Sequence, residues 1–318
     1  MKNIWKKLAK KKKPFFILAP MAGVTDSIFR RMILKLGKPD LFFTEFVSTE
    51  HIVRVDKTPN ILKYSKKERP LIVQFFGSRQ EQFEICARLA LKLGFDGIDI
   101  NMGCPDVKVQ KQGAGSELIR NPQLAREIIC AVKKGCGGKI PISIKTRLGY
   151  RQKDIENWIF DILSEDVSAI TIHGRMAKQG YLGAADWDEI GKIAQKIRKR
   201  FPDITIVGNG DVKNIEHGKE LAERHGVDGI MIGREVMHNP WIFSNKNPTL
   251  KEKLKTALMH TKMFSKVHED DHSFSAIKKY YKAYISGFSG ATKFRYELMQ
   301  SKNAREAIKI IKRLIKNS

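Results

Sequence analysis

Eight short apolar runs, each followed by a segment of helical character, set the strongest limit on how this chain can fold. The runs are rich in β-branched residues and occupy positions 16–19, 41–44, 71–74, 97–101, 142–145, 169–173, 205–209 and 229–233. The helical patterns between them include residues 81–93, 121–134 and 187–200. Alternating buried strands and helices are typical of parallel sheets. Eight such units in about 235 residues predict a closed (β/α)8 barrel.

The rival architecture is a doubly wound open sheet. That fold favours a glycine-rich fingerprint directly after the first strand. This chain has Ala-Pro-Met-Ala-Gly at residues 19–23 instead. The barrel is therefore the better prediction.

The predicted strands end in polar side chains. Gln74 ends the third run, Asn101 the fourth, Lys145 the fifth, His173 the sixth and Asn209 the seventh. The carboxyl ends of barrel strands meet at one mouth, where the chemistry of such proteins lies. One of these residues alone could be a surface or helix-cap residue. Five of them at five strand ends predict a ligand site, because buried polar groups need partners.

A single cysteine follows the fourth predicted strand. The sequence Asn-Met-Gly-Cys-Pro at residues 101–105 puts Cys104 in a stiff turn. A free cysteine is often only a small buried hydrophobe, so the motif alone leaves simple packing open. The other cysteines are Cys86, Cys130 and Cys136, with no CxxC pair and no histidine at zinc-ligand spacing. We therefore expect no metal site and a reducing cytoplasm.

Glycine turns follow the seventh and eighth predicted strands. Residues 207–211 read Val-Gly-Asn-Gly-Asp, and residues 230–234 read Ile-Met-Ile-Gly-Arg. Glycine lets backbone N–H groups approach an anion closely, and the loops after these two strands are the usual phosphate site of a barrel. Arg234 could add a bidentate contact. The pattern predicts a ligand that carries a phosphate, with ordinary turns as the alternative.

Positive charge is concentrated at the two ends of the chain. The formal net charge is +25 over 318 residues. Residues 1–40 hold 11 Lys and Arg against 2 Asp and Glu, and residues 251–318 hold 16 against 6. Basic ends around a nearly balanced middle indicate a polyanion held at the periphery. A lysine-rich composition that only serves solubility is the alternative.

The strand pattern stops near residue 247, and helices are predicted at 250–268, 274–286, 292–299 and 304–316. We predict a basic extension over 1–14, a barrel over 15–247 and a helical domain over 248–318. Aromatic residues alternate with lysines between 278 and 296. They would suit RNA contact by stacking, or form the core of an amphipathic bundle. The sequence has no run of about 18 uncharged apolar residues, so we expect no membrane span.

Six motifs, in order and spacing, resemble those of the tRNA-dihydrouridine synthases. They are Leu-Ala-Pro-Met-Ala-Gly-Val-Thr-Asp at 18–26, Asp-Ile-Asn-Met-Gly-Cys-Pro at 99–105, Lys-Thr-Arg at 145–147, His-Gly-Arg at 173–175, Gly-Asn-Gly-Asp-Val at 208–212 and Gly-Arg at 233–234. The resemblance covers nearly the whole chain and is most specific over residues 17–241. It implies an FMN enzyme that reduces specific uridines in tRNA to 5,6-dihydrouridine, with NADPH as the usual reductant. It also implies that the helical domain binds tRNA. We predict no protein partner.

The resemblance also assigns roles to residues. It implies flavin contacts from Pro20, Met21, Ala22, Gln74, Lys145, His173, Asn209, Gly210, Asp211, Gly233 and Arg234. Cys104 corresponds to the catalytic acid, which protonates C5 of uracil while hydride passes from flavin N5 to C6. A thiol with a pKa of about 8.5 is protonated at neutral pH and can donate. Asn101 and Arg175 are the candidates for substrate contact, and the target base must flip out of the tRNA to reach them.

Three residues depart from the pattern expected of that family. Met176 stands where threonine is frequent, Glu235 where a small residue is usual, and Glu117 where a small or apolar residue is expected. Two other functions also stay open. A barrel flavoenzyme for a small pyrimidine, of the dihydroorotate dehydrogenase type, explains Lys145 and Cys104 but not the basic helices. A non-catalytic RNA-binding barrel explains the charge but not the polar strand ends.

Overall fold

The structure is a computed structural model that describes residues 3–11, 14–55, 57–153, 155–244, 246–267 and 274–316. Two compact units make up the chain. The first comprises Met1–Ser27 and Pro39–Gly233, and the second comprises Ile28–Lys38 and Arg234–Ser318. The division after Gly233 differs from the predicted boundary after residue 247, because the chain leaves the barrel as soon as its last strand ends. The segment Ile28–Lys38 is an addition to the second unit that the sequence pattern did not indicate.

The first unit is a closed barrel of parallel strands, and this confirms the predicted fold class. Within the described residues its strands are β1 (Phe15–Leu18), β2 (Leu41–Ser48), β3 (Leu71–Phe76), β4 (Gly97–Met102), β5 (Ile142–Arg147), β6 (Ala169–His173), β7 (Thr205–Asn209) and β8 (Gly229–Ile232). Each strand pairs in parallel with the next one along the chain. Pairing of β1 with β8, in which Ile17 lies opposite Met231, closes the barrel.

One helix, α1, precedes β1, and the later helices follow the strands as the sequence pattern predicts. The first nine are α1 (Ile4–Lys11), α2 (Ser27–Leu36), α3 (Thr49–Arg54), α4 (Gln80–Leu93), α5 (Val107–Gln110), α6 (Pro122–Cys136), α7 (Ile155–Leu163), α8 (Trp187–Arg200) and α9 (Ile215–His225). Short 3₁₀ helices lie at Asn60–Leu62, Lys66–Glu68, Gly115–Arg120 and Arg234–Met237. Gly94 ends α4 at a φ of 77°, where its N–H bonds the last carbonyls of the helix.

Helix α1 packs on the barrel at the amino ends of its strands. Trp5 is fully buried, with its ring 6.4 Å from that of Phe15 and 6.2 Å from that of Phe43. Leu8, one turn further along the same face, joins the same core cluster. Lys6, Lys7 and Lys10 of α1 are exposed outside this contact, and Lys6 pairs with Asp203 at 3.0 Å. The segment predicted as a basic extension therefore contributes an apolar face to the barrel.

Replacing Trp5 with alanine should lower the free energy of unfolding by about 3 kcal/mol, the usual cost of truncating a buried tryptophan. The indole contributes both its buried area and its contacts with two phenylalanine rings. Equilibrium denaturation in urea measures the change. The exposed Lys7→Ala, on the same helix, is the matched control and should stay within about 0.5 kcal/mol of wild type. Equal stability of the two variants would mean that α1 is not part of the folded barrel.

The second unit is helical. Its later helices are α10 (Leu250–Ser265), α11 (Ser275–Lys278), α12 (Tyr281–Tyr284), α13 (Ala291–Gln300) and α14 (Ala304–Lys316). The predicted helix over 274–286 is two short helices in the structure. The predicted end at residue 268 lies outside the described residues. Thr249 and Glu252 form a capping box at the start of α10, with the Thr249 N–H donating to Glu252 Oε2 at 2.7 Å.

The aromatic residues of the second unit mostly form its core. Tyr280, Tyr281 and Tyr284 are at most 3% exposed. The Tyr284 hydroxyl lies 2.9 Å from His260 Nδ1, and Phe29 of α2 stacks on Tyr280 at 4.9 Å between ring centroids. These tyrosines are thus unavailable for stacking on RNA bases, and the amphipathic-bundle interpretation holds for them. No helix in the described part of the chain is both long and apolar enough to span a membrane.

Candidate active site

The five polar residues predicted at strand ends lie on five successive strands of the barrel, from β3 to β7. His173 and Asn209 end their strands as predicted, whereas β3, β4 and β5 continue one or two residues beyond Gln74, Asn101 and Lys145. The register places Asn101 beside Lys145 and His173 beside Asn209. All five belong to the alternating set of side chains that shares one side of the sheet, and hydrogen bonds join several of them. The structure therefore brings the predicted strand-end residues together within one barrel.

A fully buried carboxylate, Asp99, lies two residues before Asn101 on β4, and the sequence prediction gave it no role. Its Oδ2 accepts from Gln74 Nε2 at 2.6 Å, and its Oδ1 accepts from Ser143 Oγ at 2.5 Å. Burial raises the pKa of Asp99 to about 6, against the lowering effect of the two hydrogen bonds and of Lys145. Its place on the same face of the same strand as Asn101 was the signal that could have revealed it.

Lys145 brings an ammonium group into the site. Its Nζ donates to Asn209 Oδ1 at 3.1 Å, and Asn209 Nδ2 donates to the carbonyl of Met231 at 2.8 Å. Desolvation and the nearby charge of Arg147 lower the pKa of Lys145 to about 8, and the Asp99 carboxylate acts in the opposite direction. Lys145 is therefore charged at neutral pH and loses its proton near that pKa.

Cys104 stands on a turn held by Asn101. The backbone N–H groups of Gly103 and Cys104 donate to Asn101 Oδ1 at 3.1 and 2.9 Å. Gly115 packs on this turn with a φ of 63°, where an added Cβ would come within 2.9 Å of the Cys104 carbonyl oxygen. Burial raises the pKa of the Cys104 thiol above its ordinary value. The structure thus holds a neutral, half-buried thiol on a fixed turn.

Asn101, predicted as a substrate contact, uses its side chain within the protein. Its Oδ1 accepts the two backbone N–H groups of the Cys104 turn, and its Nδ2 donates to Gln74 Oε1 at 3.0 Å. The second N–H of the amide can serve another acceptor. These contacts make Asn101 an anchor of the turn, and its contact with substrate stays a prediction.

Two buried arginines tie loops around the site. Arg147, which the sequence prediction did not assign a role, donates from Nε to the Gly103 carbonyl at 2.7 Å and from Nη1 to the carbonyls of Met176 and Gly180. Arg147 therefore links the Cys104 turn to the loop after β6. These partners lie 29 to 44 residues away in sequence, so the Lys-Thr-Arg motif at 145–147 did not reveal what Arg147 holds.

Arg175, predicted as a substrate contact, is also engaged within the protein. Its Nη2 bonds Asp211 Oδ2 at 2.5 Å and the Gly183 carbonyl at 2.6 Å, and its Nη1 lies 3.3 Å from His173 Nε2. The side chain is only 3% exposed. In this structure Arg175 joins the loops after β6 and β7, and its contact with substrate stays a prediction.

The turn after β7 holds Asp211 and Gly210 in unusual backbone conformations. Asp211 has a φ of 51°, and its carboxylate also accepts the Ala185 N–H at 2.8 Å. Gly210 has a φ of 131°, and an added Cβ would lie 2.6 Å from that of Ala185. Only glycine fits this position without a shift of its neighbours. The geometry therefore explains Gly210 by close packing beside His173.

The turn after β1 lies beside the end of β8. The Met21 N–H donates to Thr25 Oγ1 at 2.9 Å, which fixes the segment that contains Pro20, Met21 and Ala22. A Cβ added at Gly233 would lie 3.7 Å from Ala19 and 3.8 Å from Met21, so there is room beside it. Arg234 begins a 3₁₀ helix that belongs to the second unit, and its predicted role stays a prediction.

The three departures from the family pattern have local partners. Glu117 accepts from the Tyr150 hydroxyl and pairs with Arg120 at 3.1 Å. The backbone carbonyl of Met176 accepts from Arg147, so this contact does not require a methionine side chain at position 176. In the second unit, Glu235 Oε2 lies 3.6 Å from His238 Nδ1.

A parallel barrel whose cation, amides, imidazole and neutral thiol gather at the carboxyl ends of its strands has the architecture of a barrel enzyme. No cluster of three or more His, Cys, Asp or Glu side chains suited to a metal ion occurs in the described ranges. The residues that the structure describes at this site are hydrogen-bond donors and acceptors and one thiol.

Comparison with known proteins identifies the family. The model of the dihydrouridine synthase family matches residues 17–318, and the chain belongs to this family. A "Probable tRNA-dihydrouridine synthase" of Staphylococcus aureus (strain MRSA252) is 38% identical over 312 residues, which cover 96% of this chain and 93% of that protein. The "Probable tRNA-dihydrouridine synthase 2" of Bacillus subtilis (strain 168) is 36% identical over 311 residues and covers 96% and 94%.

Solved structures with little sequence similarity share the barrel. A variant of morphinone reductase in complex with tetrahydroNAD aligns with a TM-score of 0.52 at 13% identity, over 74% of this chain and 87% of that one. 2-Naphthoyl-CoA reductase aligns with a TM-score of 0.55 at 12% identity, over 75% and 52%. These similarities concern the fold.

Proposed function

We propose that this protein reduces specific uridines of tRNA to 5,6-dihydrouridine, with FMN as cofactor and NADPH or NADH as reductant. The observation that carries the proposal is the Cys104 turn: a neutral thiol is held on fixed backbone in the barrel that also holds the Lys145 cation. Membership of the dihydrouridine synthase family supports the same reaction. We also propose a reducing cytoplasm as its location, tRNA as its macromolecular partner and no protein partner.

The chemistry of the donors fits FMN. A flavin ring carries carbonyl and ring nitrogen acceptors, which suit the Lys145 ammonium and the amides of Gln74 and Asn209, and its phosphate suits turns rich in glycine. The residues that would hold it are Pro20, Met21, Ala22, Gln74, Lys145, His173, Asn209, Gly210, Asp211 and Gly233, and Arg234 stays a prediction from the sequence. When held by these residues, FMN would supply the hydride that C6 of the uracil ring receives.

Cys104 supplies the matching proton. Reduction of the C5–C6 double bond needs one proton at C5, so the S–H bond of Cys104 breaks as the C5–H bond forms, and the thiolate regains a proton from solvent. A raised thiol pKa keeps this proton available at neutral pH. Asn101 and Arg147 hold the turn on which the thiol stands, and Lys145 offers a positive charge to the negative charge that develops in the site. The target uridine must leave the tRNA stack to reach the thiol.

The rate of uridine reduction should fall as pH rises through about 8, because Lys145 then loses its proton. The sign follows from the lowered pKa: the ammonium is charged below that value and neutral above it. Above the break the rate constant should drop about tenfold per pH unit if the cation is required. Measuring kcat/KM across the neutral and alkaline range locates the break. Lys145→Arg should lack it, because a guanidinium stays charged throughout. A wild-type rate that stays constant well above the Lys145 pKa would contradict the requirement for this cation.

Unmodified tRNA transcripts test the proposed function directly. Purified protein with FMN, NADPH and the transcripts should form dihydrouridine, detected by mass spectrometry of nuclease digests. NADPH consumption with orotate but not with tRNA would favour the dihydroorotate-type flavoenzyme. Binding of tRNA by a protein that takes up no FMN would favour a non-catalytic RNA-binding barrel.

A further inference from the structure

A chain of hydrogen bonds runs from Cys104 into the centre of the barrel. The N–H groups of Gly103 and Cys104 donate to Asn101 Oδ1 at 3.1 and 2.9 Å, and Asn101 Nδ2 donates to Gln74 Oε1 at 3.0 Å. Gln74 Nε2 then donates to Asp99 Oδ2 at 2.6 Å. The reaction proposed above uses Cys104 at one end of this chain and leaves Asp99 at the other end without a role.

The two ends of the chain fix the direction of every bond in it. Backbone N–H groups can only donate, so Asn101 must turn its carbonyl oxygen towards Gly103 and Cys104. Its NH₂ group then faces Gln74, so the carbonyl oxygen of Gln74 must accept this hydrogen bond. The NH₂ group of Gln74 is left facing Asp99, and an ionised carboxylate can only accept. Reversing either amide would therefore put donor against donor or acceptor against acceptor.

We propose that Asp99 is a positioning residue for Cys104, because its acceptor-only carboxylate sets the orientation of the Gln74 and Asn101 amides and thereby holds the Cys104 turn. The inference rests on the proposed role of Cys104 for its functional meaning. Burial favours a neutral acid, but a pKa of about 6 still leaves Asp99 ionised at neutral pH. The side chains of Asn101, Gln74 and Asp99 are at most 6% exposed, so water competes little for the bonds.

The second oxygen of Asp99 supplies a matched control. Asp99 Oδ1 accepts from Ser143 Oγ at 2.5 Å, and this bond leads away from Cys104. Ser143→Ala removes one hydrogen bond from Asp99 but leaves the chain to Cys104 complete. Asp99→Asn also preserves the chain, because its oxygen can face Gln74 while its NH₂ group faces the Ser143 hydroxyl. Asp99→Ala removes the terminal acceptor.

The rate of hydrogen exchange at the Gly103 and Cys104 amides measures how often their hydrogen bonds to Asn101 open. We expect Asp99→Ala to speed exchange at these two amides by about tenfold or more, while Asp99→Asn and Ser143→Ala stay within about threefold of wild type. Amides of β1, such as that of Ile17, serve as the internal reference, because general loosening of the barrel would raise them too. A folded Asp99→Ala protein with wild-type exchange at Gly103 and Cys104 would overturn the proposal.

Moving the carboxylate along the hydrogen-bond chain, from position 99 to position 101, gives a second test. This test does not depend on the alanine variant. In Asn101→Asp alone, two carboxylates flank Gln74, so one link places acceptor against acceptor and the turn should exchange about tenfold faster. Adding Asp99→Asn allows the Gln74 amide to reverse. Its NH₂ group then donates to the new carboxylate at position 101, and its carbonyl oxygen accepts from the new amide at position 99.

Every bond of the chain is satisfied again in this double variant. The carboxylate at position 101 accepts from both the turn and Gln74, and the amide oxygen at position 99 accepts from the Ser143 hydroxyl. The double variant should therefore return to near wild-type exchange. A purely steric role of Asp99 would not produce this recovery.

Exchange rates and uridine reduction separate the two hypotheses. If the double variant exchanges as fast as Asn101→Asp, the proposed role of Asp99 is wrong, whatever the activity of the wild type. If wild type forms no dihydrouridine while the exchange rates follow the expected order, the proposed function is wrong and the positioning role stands. If the proposed function and the positioning role are both right, Asp99→Ala should lower kcat about tenfold with little change in KM for tRNA. Asp99→Asn should keep kcat near the wild-type value.

Discussion

Replacing Cys104 with alanine should lower the rate of uridine reduction about 100-fold or more, the usual contribution of a positioned general acid. Alanine removes the S–H group and leaves the backbone bonds of the turn in place, because Asn101 and Arg147 hold main-chain atoms of the turn. FMN and tRNA should therefore still bind. Single-turnover formation of dihydrouridine measures the chemical step, and flavin absorbance with a filter-binding assay measures the two affinities.

Cys130→Ser is the matched control for Cys104→Ala. Cys130 is exposed on α6 and lies 3.2 Å from Glu165, away from the strand ends. Its replacement removes one thiol without touching the Cys104 turn, so the rate should not change. Wild-type activity in Cys104→Ala would show that another group delivers the proton to C5.

The barrel could be predicted because its strands leave a strong local pattern. Strands buried on both sides read as continuous apolar runs, and β6 and β7 have the bounds that the sequence predicts. The helix predicted over 274–286 is divided in the structure, where Tyr280 and Tyr281 are buried. Burial of those side chains depends on residues distant in sequence, such as Phe29, and no local pattern reports it.

The candidate site was predictable only in part, for the same reason. Lys145 lies two residues before the end of β5 and Cys104 two residues after the end of β4, and the sequence reveals both strands. Asp99 and Arg147 act through partners on other strands and loops, so their importance depends on the closed barrel. The sequence prediction missed Trp5 because the surrounding residues are mostly lysines. The spacing between Trp5 and Leu8 was the signal, since it gives α1 an apolar face.

Binding of tRNA should weaken about a thousandfold between 50 and 200 mM salt, since contacts with several phosphates release counterions. The second unit presents many basic side chains to solvent, and α14 carries a row of them at helical spacing. That row consists of Arg305, Lys309, Lys312 and Lys316. Because the tyrosines of this unit are mostly buried, charge rather than stacking should dominate the affinity. The slope of log Kd against log salt concentration measures the number of phosphate contacts.

Changing Lys309, Lys312 and Lys316 together to glutamine should reduce that slope by about 2 to 3, close to one unit for each lost phosphate contact. The matched control changes Lys192, Lys196 and Lys199 of α8, which are also exposed. Lys192 and Lys196 already pair with Glu189 and Glu156, so their side of α8 offers little net charge to a polyanion and the slope should change less. Equal slopes for the two triple variants would mean that the tRNA surface lies elsewhere than α14. A slope near zero for the wild type would exclude the basic surface as the source of affinity.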